Sequence, residues 1–204
     1  MTIVKKVFGR QILDSRGNPT VEVELWTSSG KVRASVPSGA STGKHEALEL
    51  RDNVHSYHGK GVLQAVSNVN KIGKDFIGKK LDLKAIDHHL IHSGKSRLGA
   101  NATLGISLAA LKATACANDE SMYKTISKIA KTKVSMPKPM FNIINGGVHA
   151  GNALDVQEYM VVPQSKSFSE NLRIGSEIYH ELRRMLIKKY GKQSVNVGDE
   201  GGFA

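Results

Sequence analysis

Two carboxylates, Glu158 and Glu200 (with Asp199 beside it), and one imidazole, His149, stand next to or near glycines in three short stretches. These are Asn145-Gly-Gly-Val-His-Ala-Gly151, Val156-Gln-Glu158 and Gly198-Asp-Glu-Gly-Gly202. Paired carboxyl groups held in different environments divide acid and base roles near neutral pH, and glycines let backbone approach a ligand closely. Taken singly, such residues are more often solvated, capping or turn residues. Their value as a site depends on whether the chain brings them together.

A second candidate is the loop Pro37-Ser-Gly-Ala-Ser-Thr-Gly-Lys-His-Glu46. It fails as a phosphate-binding P-loop, which needs four residues between its glycines and Ser or Thr after Lys, whereas here three residues and His45 stand. It fails as a zinc-protease helix too, because Glu49 occupies the place of the second histidine. A small-residue loop remains, with free amides and the hydroxyls of Ser38, Ser41 and Thr42, able to wrap an anion or offer oxygen to a hard cation. His88 and His92 are four apart and could chelate a metal, but they lie opposite the apolar stripe of their helix and read by default as a solvated face. Cys116 reads as a small buried helix residue. The sequon Asn101-Ala-Thr103 carries no meaning without a secretory signal.

The elements that must position these groups follow from periodicity. Val21–Leu25 and Val32–Val36 alternate apolar and polar residues about a Ser28-Ser-Gly30 turn, which predicts a half-buried antiparallel hairpin. Ile3–Phe8 reads as a third strand, joined through Asp14–Pro19. Helices are expected with apolar stripes at Val62, Val66, Val69 and Phe76, and at Leu83, Ile86 and Leu90. A third is capped by Asn101 and runs to about Asn118, with Leu104, Leu108 and Leu111 in register. Strands followed by helices indicate an α+β domain.

After Met136-Pro-Lys-Pro139 the pattern changes. Phe141–Asn145 and Val156–Val162 read as short strands buried on both faces. Ser167-Phe-Ser-Glu170 is a capping box opening a helix to Tyr190, with Gly191 as its stop. Ten residues, 146–155, are too few for a parallel crossover, so the two strands should be antiparallel. A helix of about 35 Å can run back along them. That path returns residues 195–202 to the rim carrying His149 and the start of the second strand, so Glu158, Glu200 and His149 are expected to converge there.

Charge is distributed unevenly. Of 204 residues, 29 are Lys or Arg and 18 are Asp or Glu, for a net charge of +11. Residues 1–138 hold 22 basic and 11 acidic side chains and residues 139–204 hold seven of each, so the excess lies entirely in the first part. A basic pI near 9.7 raises nucleic acid as a partner. Aromatic residues make up only 5% of the chain, and no stacking platform, recognition helix or zinc finger is present to support specific recognition. One cysteine, no secretory signal and no apolar run long enough for a bilayer make the cytoplasm the expected compartment.

Six stretches taken in order carry a resemblance. They are Ser15-Arg-Gly-Asn-Pro-Thr-Val-Glu-Val-Glu24, Val36-Pro-Ser-Gly-Ala-Ser-Thr-Gly43, Leu98-Gly-Ala-Asn-Ala102, and the three stretches named at the outset. Together they resemble enolase, phosphopyruvate hydratase, over the whole chain. The resemblance implies an α/β protein with two parts. Residues 1–136 would form an N-terminal α+β capping domain with a three-stranded antiparallel sheet. Residues 139–204 would form the opening β-hairpin and helix of an enolase-type (β/α)8 barrel.

It also implies a lyase of glycolysis and gluconeogenesis that interconverts 2-phosphoglycerate and phosphoenolpyruvate with two Mg²⁺ per site. A lysine takes the proton beside the carboxylate. Glu200 would protonate the leaving hydroxide, with Glu158 in its proton network. His149 would lie over the substrate, Gln157 and Glu158 would contact it, and Ser41 on a mobile loop would ligate the second Mg²⁺. Arg10 and Glu177 would pair across the interface of a homodimer or higher homo-oligomer, with no membrane span. The base lysine, the carboxylates holding the first Mg²⁺ and the phosphate-binding residues belong to later barrel strands. The chain is therefore expected to be an N-terminal fragment, inactive alone. The alternative reading is a noncatalytic basic module that binds anionic partners.

Overall fold

The computed structural model describes residues 1–39, 41–147 and 150–204, with the side chain of Lys95 left out. It divides into two compact units, Met1–Val134 and Ser135–Ala204.

In the first unit the strands β1 (Val4–Leu13), β2 (Pro19–Thr27) and β3 (Gly30–Ser35) form an antiparallel sheet in the order β1-β2-β3. The helices are α1 (Leu63–Ile72), α2 (Leu83–His92), the single turn α3 (Lys95–Leu98), α4 (Ala100–Ala117) and α5 (Met122–Ala130). Val21, Val23 and Leu25 on β2 are fully buried and meet Ile106, Ala109 and Ala110 of α4 and Val69 of α1 in one core. The expected hairpin is present, but its central strand is not half-buried. Glu22 and Glu24, on the face away from that core, are only 6% and 5% exposed. Arg10 donates to both carboxylates (3.4 and 2.9 Å), Lys31 pairs with Glu24, and Arg33 pairs with Glu22. Long cationic side chains from the flanking strands thus cover the outer face.

β1 is an edge strand, and α1 closes that edge. Asn70 accepts from the Gly9 amide (2.9 Å) and donates to the Gly9 carbonyl (3.2 Å). A Cβ on Gly9 would fall 2.8 Å from Val69, and one on Gly73 2.7 Å from Val7, so glycines permit this close docking. The N-terminus of α1 is capped from a distant loop: both Asp52 oxygens accept, from the amides of Leu63 and Gln64, at 2.8 Å each.

Three helix readings are corrected. α4 does not pack through Leu104, which is 40% exposed. Its buried face is Ala102, Gly105, Ile106, Ala109, Ala110 and Ala113, because close approach to the sheet selects small side chains. Asn101 is not its N-cap; Gly99 is, while buried Asn101 accepts from the Leu50 amide and donates to the Leu50 carbonyl. Cys116 is exposed, one position off the buried face of α4. The first expected stripe is met at Val62, Val69 and Phe76, all buried, with Val66 half-buried, and Ala65 and Ile72 of α1 join it; on α2 Ile86 and Leu90 are buried and Leu83 is half-buried. α5 lies outside every stripe read from the sequence.

In the second unit β4 (Phe141–Asn145) and β5 (Glu158–Val161) are antiparallel, as the ten-residue connection requires. β5 is shorter than expected and is not buried on both faces, with Tyr159 and Met160 exposed. α6 spans Phe168–Tyr190. Ser167 Oγ accepts from the Glu170 amide at its start (3.1 Å), and Gly191, at φ 88°, ends it. Beyond α6 the chain returns to the hairpin. Phe203 bridges Ile144 in parallel, donating to the Ile143 carbonyl (2.9 Å) and accepting from the Asn145 amide (2.8 Å) along the edge of β4 that β5 leaves open. Among the described residues, no helix is long and apolar enough to cross a membrane.

Candidate active site

The second unit assembles the carboxylates around β4. The β4–β5 register shifts between Asn142 and Ile144: Asn142 pairs with Met160, Ile144 with Tyr159 and Asn145 with Glu158. One extra residue in β4 resets the alternation of side chains. Paired residues share a face, and Glu158 and Met160 are two apart on β5, so Asn142 and Asn145, three apart on β4, lie on the face of Glu158.

Gly202 meets the same face. A Cβ there would fall 2.6 Å from Asn145 Oδ1 and 2.9 Å from Asn142 Oδ1, so only glycine admits both amides. Asn142 Nδ2 donates to Glu200 Oε2 (3.2 Å). Glu200 itself sits in a tight turn in which the Gly201 amide donates to Gly198 and the Gly198 amide to Gly202. Tyr179 of α6 anchors that turn: its hydroxyl donates to the Gly201 carbonyl (2.9 Å) and its ring stacks on Phe203 at 4.5 Å.

Glu158 is half-buried at the start of β5 and accepts from Gln157 Nε2 (2.9 Å). The Gln157 carbonyl is held by the Gly146 amide (2.9 Å), and a Cβ at Gly146 would lie 2.3 Å from the Val156 carbonyl. The two glutamates are thus tied to the two ends of the Asn142–Asn145 stretch, about 10 Å of strand. The expected return of residues 195–202 to the hairpin is observed. His149 lies outside the described residues.

Asn142, Asn145 and Gly202 on this face are not among the residues that the sequence pattern singles out as site residues. Asn142 Oδ1 and Asn145 Oδ1 are both buried with no hydrogen-bond partner among the described residues. Asp14 Oδ2 and Asp87 Oδ1 of the first unit share that condition, so it does not by itself mark a site. Two asparagines within a short apolar strand are the available signal. It was unreadable because strict alternation puts residues three apart on opposite faces.

The remaining candidates are elsewhere. Ser41, in the first unit, is exposed on the loop after β3. That loop is strapped by Arg16, which donates to the carbonyls of Ser38 (3.1 Å) and Gly39 (3.0 Å), while Ser38 Oγ donates to Glu49 (2.8 Å). Arg10 is engaged by Glu22 and Glu24 of its own sheet, and Glu177 by Arg173 of its own helix. No group of three or more His, Cys, Asp or Glu side chains able to hold a metal occurs among the described residues. Mg²⁺ demands near-octahedral oxygen ligation, and the donors described do not supply it.

The family comparison agrees with this architecture. Residues 4–126 match the model described as "Enolase, N-terminal domain", and residues 133–204 match "Enolase, C-terminal TIM barrel domain". The three-stranded sheet with its helices falls in the first match and the hairpin, α6 and the Phe203 bridge in the second, so the chain belongs to the enolase family.

Proposed function

We propose that this chain supplies the capping domain and the opening of the barrel of a phosphopyruvate hydratase, a carbon–oxygen lyase interconverting 2-phosphoglycerate and phosphoenolpyruvate in the cytoplasm. The observation that carries the reading is the shared face of the second unit, on which Glu158 stands beside Asn145 while Glu200 is hydrogen-bonded to Asn142.

The chemistry asks for such a face. Hydroxide is a poor leaving group and departs as water only if a carboxyl group delivers a proton to it. In this reading Glu200 is that acid. It lies in an exposed turn, and Asn142 holds one of its oxygens. Glu158 serves the same proton network, with Gln157 orienting it and contacting substrate, and His149 covering the substrate. Ser41, in the first unit, is the residue that would offer a hydroxyl oxygen to the second Mg²⁺. Arg10 and Glu177 would pair across a homo-oligomer interface. Dependence on Mg²⁺ is general in the enolase family. The described residues hold no group of three or more His, Cys, Asp or Glu side chains that would bind the ion by themselves.

The test is the dehydration of 2-phosphoglycerate, followed by the ultraviolet absorbance of the enol product, in the enzyme with its full barrel. Turnover that falls by roughly 10²-fold or more in Glu200→Gln supports the reading, that being the range for losing a general acid. Undiminished turnover in Glu200→Gln overturns it.

A further inference from the structure

The first unit carries a cluster of imidazoles that the proposed reaction does not use. His88, His89 and His92 lie on α2 and, with Asp82, Lys84 and Ala85, line an open cavity of about 540 Å³. The three rings are not equivalent. His89 Nε2 is paired with Asp75 Oδ2 at 3.0 Å, and its ring meets Phe76 edge-on, so it is held against the body of the unit. His88 and His92 stand one helical turn apart, with ring centroids 4.2 Å apart and planes inclined by 32°. His92 Nδ1 lies 2.7 Å from the His88 carbonyl. A carbonyl can only accept, so Nδ1 carries the proton and Nε2 is left with its lone pair. This is the arrangement found behind metal-bound histidines, where a carbonyl on the far nitrogen fixes tautomer and ring orientation.

We propose that His88 and His92 chelate one borderline divalent cation, Cu²⁺ in preference to Zn²⁺, through two imidazole nitrogens, with water completing the coordination. Ring proximity and the locked tautomer remove much of the ordering cost of bringing two side chains to one ion. Imidazole selects copper, nickel and zinc over magnesium, and copper leads the stability order. The site is therefore chemically separate from the oxygen-ligand chemistry of an enolase centre and does not depend on that reading. Two nitrogen ligands give about half the binding free energy of a four-ligand structural zinc site, which corresponds to dissociation constants of roughly 1–100 µM.

Calorimetric titration of CuCl2 and ZnCl2 into the 204-residue chain tests the proposal. One equivalent of Cu²⁺ should bind with a signature of two nitrogen ligands in electron paramagnetic resonance, and Zn²⁺ should bind more weakly. His88→Gln and His92→Gln should each weaken binding at least tenfold, whereas His89→Gln should stay within about twofold. All three side chains are exposed, so the variants keep the fold, which far-ultraviolet circular dichroism verifies. Cu²⁺ binding that is absent below millimolar concentration overturns the proposal. So does binding that is equal in wild type, His88→Gln and His92→Gln, which would place the ion on other histidines.

Discussion

Gly105, inside α4, sets two effects of similar size against each other. Replacing it by alanine should stabilise a helix interior by about 1 kcal/mol. The new Cβ would fall 2.8 Å from Val23 Cγ2, 3.2 Å from Val36 Cγ2 and 3.8 Å from Val21 Cγ1. Contacts below 3 Å require something to move, and Val23 has nowhere to go. It is fully buried, its χ1 is stiff, and its backbone is paired to Gly9 on one side and Ala34 on the other. Overpacking of this kind costs about 1–3 kcal/mol, so Gly105→Ala should be net destabilising by up to about 2 kcal/mol.

Trp26, the single tryptophan, lies on β2, so its fluorescence during urea unfolding reports the first unit. The decisive comparison is a double-mutant cycle with Val23→Ala, which removes the methyl group at 2.8 Å. In that background Gly105→Ala should lose most of its penalty, giving a coupling of about 1–2 kcal/mol. A Gly105→Ala variant stabilised by the full helix-propensity gain, or one equally destabilised in both backgrounds, would refute the reasoning.

Other outcomes follow from the same structure. Asp52→Ala removes the cap that holds the Leu63 and Gln64 amides and should cost the first unit about 1 kcal/mol in the same assay, while Asp52→Asn should recover part of the loss. Asp14 is held below the usual carboxylate range chiefly by the Asn18 backbone; for Glu24 desolvation is the largest single influence and raises it, but hydrogen bonds and charge from Arg10 and Lys31 together bring it below its ordinary value. Both pKa values are depressed in the folded state, so their contribution is complete above the unfolded carboxylate range and disappears as pH falls through the folded values. Acid titration of the Trp26 signal should therefore show the first unit weakening below about pH 4, and Asp14→Asn and Glu24→Gln should flatten that dependence. Gly202→Ala drives a methyl group into Asn142 and Asn145. It should lower turnover of the full-barrel enzyme with little effect on the Trp26 transition, and unchanged turnover would detach these amides from the site.

What the sequence made legible was local or geometric. Ser167 and Gly191 delimit α6 because caps act within one turn, and the antiparallel sense of β4 and β5 follows from the length of their connection alone. What it concealed depends on partners distant in sequence. The Asp52 cap lies eleven residues before the helix it serves. The burial of Glu22 and Glu24 depends on arginines and lysines from neighbouring strands. The packing face of α4 follows the closeness of the sheet, which favours alanine and glycine over the larger leucines that periodicity selects. At the site, Glu158 and Glu200 could be read as a pair from topology. Asn142 and Asn145 could not, because an irregularity in the strand, invisible in residue types, brings them to one face.

The central claim is that Glu200 delivers the proton to the departing hydroxide and is not needed to remove the proton beside the carboxylate. The most direct measurement follows 2-phosphoglycerate in deuterated solvent by nuclear magnetic resonance, using Glu200→Gln in the full-barrel enzyme. Phosphoenolpyruvate formation should fall by roughly 10²–10⁴-fold while exchange of that carbon-bound proton for deuterium continues. Exchange that disappears together with product formation, or product formation that is unchanged, would contradict the account.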